Sequence, residues 1–346
     1  MTAKVLTGAA AIALAVSASA IETRSLSVRL DGDPAQAWAV ENLAGTMTVT
    51  PTDGNRAEAI ATVHAESAAL ADAVRFEQVK GDDGRPVLRL IYPRNERQFR
   101  YPGHGSTTVE YAGRRVEVSG HGGPEMWAEV EVRVPRAAVH AAFRNLVGPV
   151  SAQGVRGRVR LDSASGDIAA TDLSGDISAD TGSGDIRAEK IDGSFECDTG
   201  SGACLLTGFH GEQVGCDTGS GAITVRQVAA HTLEADTGSG AIRVEGADLE
   251  EFWGDTGSGR ISLEVTGSRL RRVRADTGSG DIEVRVPPDT GFELDADQGS
   301  GDLACGFGDA RPVVHERLVV GYTRGDRRVS VSVNTGSGDV SILPVR

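Results

Sequence analysis

Residues 180–202 read Asp-Thr-Gly-Ser-Gly-Asp-Ile-Arg-Ala-Glu-Lys-Ile-Asp-Gly-Ser-Phe-Glu-Cys-Asp-Thr-Gly-Ser-Gly, so that one Asp-Thr-Gly-Ser-Gly phrase follows another after 18 residues. The unbroken phrase starts at Asp180, Asp198, Asp217, Asp236, Asp255 and Asp276, and variants start at Asp162, Asp297 and Asn334. A period of 18 to 21 residues is too short for a helix pair and suits two or three strands with their turns. The last step, 37 residues, is about twice the others, which predicts a degenerate turn between Asp309 and Gly325.

Alignment on the phrase shows which residues face inward. Three positions before the Asp stand Ile177, Phe195, Val214, Leu233, Phe252, Val273 and Leu294, and one before it Ala179, Cys197, Cys216, Ala235, Gly254, Ala275 and Ala296. After the phrase come Ile186, Cys204, Ile223, Ile242, Ile261, Ile282 and Leu303, with a second apolar column two residues on. Apolar residues at every second position mark a strand with one buried face. Inward parity changes across the phrase, so the chain turns a corner there, a place for Gly and for an Asx-type turn made by Asp. A third column, Leu173, Ile191, Phe209, Val228, Leu249 and Leu270, lies near the opposite turn.

One rung cannot bury its apolar face alone, but stacked neighbours can, with like residues ~4.8 Å apart. The expected fold is therefore all-β: a parallel β-solenoid (β-helix) of 18–21-residue rungs over 151–346. An irregular β-rich region over 21–150 is expected to cap it. Within that region, Arg94 to Gly123 reads as a protruding hairpin, with Thr107 to Tyr111 and Arg114 to Val118 paired about Ala112-Gly113. Ser67 to Val79 reads as a short helix or as further strand. Residues 1–20 have the pattern of a signal peptide: Lys4, an uncharged run from Val5 to Val16, then Ala18-Ser19-Ala20. Export to the periplasm, the cell surface or the extracellular space follows. No stretch has the ~20 apolar residues of a membrane span.

The chain of 346 residues has 45 Gly, only 4% aromatic residues and a net charge of −14. A net anion is repelled by nucleic acid and by anionic membranes, which removes both as partners.

Val40-Glu41-Asn42-Leu43-Ala44-Gly45-Thr46-Met47-Thr48-Val49, then Val132-Arg133-Val134-Pro135, then Ser-Gly-Asp-Ile at Ser165, Ser174 and Ser183, together resemble the DUF4097 family of exported, adhesin-like bacterial β-strand-repeat proteins. The resemblance spans nearly the whole chain after residue 20. It implies a β-solenoid at the cell envelope and supplies no catalytic site, and the Arg94 to Gly123 insertion has no counterpart in it.

Asp-Thr-Gly-Ser is also the active-site phrase of aspartic proteases, where two carboxylates share a proton. Here it recurs in every rung without the two-lobed chain such enzymes need. The motif Asp residues would stack as one outward ladder whose like charges repel. Hydrogen bonds within the corner or Ca²⁺ between rungs would relieve that repulsion, and corner bonding is the simpler solution. The threonine column lies at or inside the corner, which argues against a flat ice-binding face. Cys197 and Cys216 share a column in adjacent rungs within bridging range; the alternative leaves all four cysteines as small buried hydrophobes. Cys204 and Cys305 stand at distant rungs. Seven histidines show no metal-ligand spacing, although His104 and His121 flank the predicted hairpin.

These readings assign no catalytic, cofactor-binding or metal residues and no cofactor. They favour a non-enzymatic envelope scaffold that holds an envelope protein or a surface polymer. An envelope-stress accessory or sensor protein fits equally. A β-helical polysaccharide-active enzyme fits less well, since short rungs leave no space for catalytic loop excursions.

Overall fold

The computed structural model describes residues 21–30, 36–81 and 84–345; the predicted leader, 1–20, lies outside them. The chain is all-β, with one short helix among the described residues, Ala68–Ala73. Ser67 caps that helix, its hydroxyl accepting from the Leu70 amide, and the chain then continues as strand Arg75–Lys80.

The repeats pair as parallel strands in the register that the phrase implies. Asp180, Asp198, Asp217, Asp236, Asp255 and Asp276 are successive partners. So are Ile186, Cys204, Ile223, Ile242, Ile261 and Ile282. Both columns before the corner and both after it are buried through the Asp276 rung. Burial of an Ile, Val or Leu side chain stabilises by about 1.5–3 kcal/mol, and each rung contributes several. Gly254 is a fitted exception in its column, because a Cβ there would lie 2.7 Å from the Phe252 ring. The third column differs at one position: Leu249 stacks on Ala230 rather than Val228, because the two strands keep one register across the turn and Leu249, like Ala230, lies two places further along than Val228.

The corner is held by Thr and not by Asp. Thr237 Oγ1 donates to the Gly221 carbonyl (2.9 Å) and accepts the Gly240 amide (3.1 Å). Thr199, Thr218, Thr256, Thr277 and Thr335 repeat the pair of bonds. Each buried hydroxyl thus has its donor and its acceptor satisfied, and loss of such a bond leaves buried backbone groups unpaired at about 1–3 kcal/mol. The column continues toward the N-terminus through buried Ser163, Asn145 and Asn42. There Asn42 Nδ2 donates to Asn145 Oδ1 (2.8 Å) and Tyr92 donates to Asn42 Oδ1 (3.0 Å).

Strand Trp38–Thr52 is a rung in its own right, parallel to Val139–Val147 and Val150–Gln153. On its other side it meets Pro86–Ile91 and Met126–Pro135, also in parallel. Beyond these the pairing becomes antiparallel, with Arg75–Lys80 on one sheet and Glu58–Ala65 followed by Glu22–Arg29 on the other. The 94–123 insertion forms the expected hairpin, with Ala112 and Gly113 both at positive φ. It does not protrude. Its alternating apolar residues give it a face that needs cover, so Phe99, Tyr111, Val116 and Val118 are buried, and the Tyr92 ring meets Phe99 and Tyr111 edge-on.

The C-terminal end departs from the sequence expectation. No degenerate rung lies between Asp309 and Gly325; strands Arg311–His315 and Leu318–Arg324 form an antiparallel hairpin there, and the second pairs with Phe292–Asp297. The chain then returns and inserts its last rung between two earlier ones. Asn334 pairs with Asp276 on one side and Asp297 on the other, and Val340 lies between Ile282 and Leu303. Leu303 therefore stacks on Val340 rather than on Ile282.

Candidate functional site

On the face that leads into the corner, three columns of side chains point outward. One is the Asp ladder. The second runs Arg160, Ser178, Glu196, Gly215, Glu234, Trp253 and Arg274. The third carries Arg158, Asp176, Ser194, Gln213, Thr232, Glu251 and Arg272.

Cations bracket the ladder. At one end Arg160 contacts Asp162 (2.6 Å) and Asp180 (2.9 Å). At the other, Arg274 lies 4.0 Å from Asp276 and over the Trp253 ring at 5.6 Å. Between them Asp198, Asp217, Asp236, Glu196 and Glu234 surround Gly215, whose missing side chain opens a notch: a Cβ there would meet nothing within 4 Å. The groove along this stretch, about 530 Å³, runs from Glu196 to Asp276.

The carboxyls of Asp180, Asp217 and Asp255 are raised, first by partial burial and then by the neighbouring Asp charges. A raised acid binds its proton more tightly in the folded chain than in the unfolded one. Its contribution to stability therefore falls as pH rises above the ordinary 3.8, and the folded ladder is most strained when fully ionised. Asp217→Asn is expected to raise the melting temperature at pH 7 and to do little near pH 3. A neutral-pH melting temperature that falls in this variant would show that the Asp217 charge is compensated.

Among the described residues the Asx role expected of these Asp residues is kept at Asp297, whose Oδ1 accepts the Gly299 amide (3.4 Å), and passes elsewhere in the other rungs. The Asp after the phrase reaches the next rung instead: Asp185 Oδ1 accepts the Ala203 amide (3.0 Å) and Asp281 Oδ1 the Asp339 amide (3.0 Å). Among the described residues the ladder carboxylates do not converge on a common point, as a calcium site between rungs would need. Three or more metal-capable groups within 4.8 Å of one another occur at Cys197, Cys204 and Cys216.

The disulfide joins Cys197 to Cys204, and not Cys197 to Cys216. Column neighbours point side by side, whereas Cys197 and Cys204 lie on opposite limbs of the corner and meet across the narrow interior. Cys216 and Cys305 are free thiols, and burial pushes the Cys216 thiol up to about 12.

His104 does not seek His121. Its Nε2 lies 3.1 Å from Thr107 Oγ1 and 3.2 Å from Ser165 Oγ, which fastens the insertion to the first rungs. Burial lowers its pKa, in keeping with a neutral ring that bonds hydroxyls.

The Toastrack DUF4097 family model matches residues 193–343. The matched segment holds the Gly215 notch, the Trp253–Arg274 end of the groove and the intercalated last rung. No curated protein matches the sequence. Among solved structures, the chain is similar to a candidate cell adhesion protein from Clostridium sporogenes, with 11% identity and TM-score 0.19, covering 94% of this chain and 100% of that one. A candidate lipid-binding protein from Parabacteroides distasonis shows 11% identity and TM-score 0.42, covering 92% and 96%. A candidate adhesin from Bacteroides fragilis shows 9% identity and TM-score 0.35, covering 94% and 99%. Among the described residues no helix is long and apolar enough to cross a membrane.

Proposed function

We propose that this chain is an exported, non-enzymatic binding scaffold of the cell envelope, a parallel β-solenoid capped by its antiparallel N-terminal strands. Its Asp-ladder groove holds an extended cationic segment of an envelope protein or surface polymer. The observation that carries this reading is the row of carboxylates at Glu196, Asp198, Asp217, Glu234 and Asp236, regular in spacing and bracketed by Arg160 and Arg274. Rungs ~4.8 Å apart present charge at a fixed repeat, which suits a partner with many weak contacts better than one compact ligand.

The test is calorimetric titration of the chain from Ile21 with lysine oligomers of two to ten residues. Affinity is expected to rise with oligomer length and fall with salt. The triple variant Asp198→Asn, Asp217→Asn, Asp236→Asn is expected to bind at least tenfold more weakly while melting no lower than the parent. Equal binding by parent and triple variant, or no dependence on length, removes the groove from the reading.

A further inference from the structure

The interior of the matched segment holds a feature that a binding face does not use. Cys197, Cys204 and Cys216 are buried, and their sulfurs lie within 4.8 Å of one another. Cys216 Sγ lies 3.5 Å from Cys204 Sγ, although the disulfide is to Cys197. Cys197 and Cys216 come from adjacent rungs in the same column, and Cys204 faces them from the opposite limb, between Ile186 and Ile223. A disulfide needs two sulfurs; here the stacking delivers a third.

We propose that, once the Cys197–Cys204 bridge is reduced, these three cysteines form a site for a soft monovalent ion, Cu(I). Metal–thiolate bonds of about 2.3 Å in a trigonal arrangement place the sulfurs about 4 Å apart, close to the 3.5 Å between Cys204 and Cys216 and inside the 4.8 Å that encloses all three, once the bonded Cys197 and Cys204 sulfurs separate. Thiolate sulfur selects Cu(I), and structural zinc takes four ligands. Among the described residues the cluster contains no His, Asp or Glu to supply a fourth. The chemistry balances with a dithiol reductant: two electrons and two protons convert the bridge to two thiols as the dithiol becomes a disulfide. Each sulfur that coordinates as a thiolate then releases one proton, and the copper stays Cu(I). Metal and bridge exclude each other, so oxidation expels the ion.

The experiment uses the purified protein, reduced under anaerobic conditions, with its fold checked by circular dichroism, and titrated with Cu(I) against a chromophoric chelator. One Cu(I) per chain is expected, with three sulfur neighbours by X-ray absorption. Cys216→Ala should lower affinity at least tenfold, Cys305→Ala should leave it unchanged, and the bridged protein should bind none. Where Cys216→Ala fails to fold, Cys216→Ser and the parent's sulfur count decide the matter. No retained copper, two sulfur neighbours, equal affinity in the Cys216 variants, or loss of the fold on reduction would each overturn the site and leave a disulfide with a bystander thiol. None of these outcomes bears on the charge of the Asp-ladder groove, whose carboxylates lie on the outward parity of the strands while the three sulfurs are buried on the inward one.

Discussion

A chain that ends at Arg328 is expected to lose its ordered C-terminal end from about Phe292 onward while the rungs from Val139 to Val286, which keep their preceding neighbours, stay folded. The deleted residues are the wedge between two rungs and not a tail. Val329, Val331, Val333, Val340 and Ile342 are all buried. At about 1.5–3 kcal/mol each they contribute roughly 8–15 kcal/mol as an upper figure, comparable to a whole domain's stability. Their loss also strands Phe292–Asp297 and Leu303–Cys305, whose parallel partners are the deleted strands. Stacked repeats lose structure locally because each touches only its neighbours. Hydrogen exchange should therefore show full protection at Asp198 and Asp217 and none at Leu294. Unchanged protection over 292–305 would mean that this rung has slid down onto Asp276, and that the intercalation is dispensable.

This same end shows where the sequence stops being informative. The 18- to 21-residue spacing fixes which residues share a column, because a repeat in sequence becomes a repeat in register. It carries no information on neighbour order, since any rung with apolar residues at the same offsets can stack on any other. The step of 37 residues signals an irregularity, but a hairpin followed by insertion leaves the same spacing as a lost rung. The corner was legible in place but not in chemistry. Asp is the common turn former by general preference, yet alternation puts it on the outward parity, and Thr, one residue on, is turned inward with its hydroxyl between two glycine backbones. The disulfide's pairing is hidden for a related reason: column arithmetic measures distance along the stack, and Cys197 and Cys204 meet across it. Of the candidate site, the Asp ladder could be read from spacing. The bracket by Arg160 and Arg274 and the opening at Gly215 depended on register across seven rungs.

Gly240→Ala is expected to cost more than about 3 kcal/mol, well beyond the ~1 kcal/mol of an ordinary Gly substitution, because no space exists for a methyl group at that corner. A Cβ on Gly240 would lie 1.8 Å from the Gly221 carbonyl oxygen and 2.5 Å from its carbon, and both are backbone atoms. The neighbouring rung cannot retreat, since Thr237 Oγ1 donates to that same carbonyl while it accepts the Gly240 amide, and Gly240's own carbonyl accepts from Thr256. Relief of the clash therefore breaks bonds in two rungs at once. Gly240 has no positive φ, so the requirement is close approach and not backbone freedom. Gly246, on the opposite turn, is the control: its φ is +63° and a Cβ there meets nothing within 4 Å. Positions one and three rungs earlier in that turn are already Gln227 and Lys190 at φ of 54° and 56°. Gly246→Asn should accordingly shift stability by no more than about 1 kcal/mol. Urea unfolding of the two variants side by side separates the causes. A large loss at Gly240 with little change at Gly246 means that the repeat's glycines are kept by rung-to-rung contact. Equal losses would make conformational freedom the reason, and the tight stacking of the corners would be wrong.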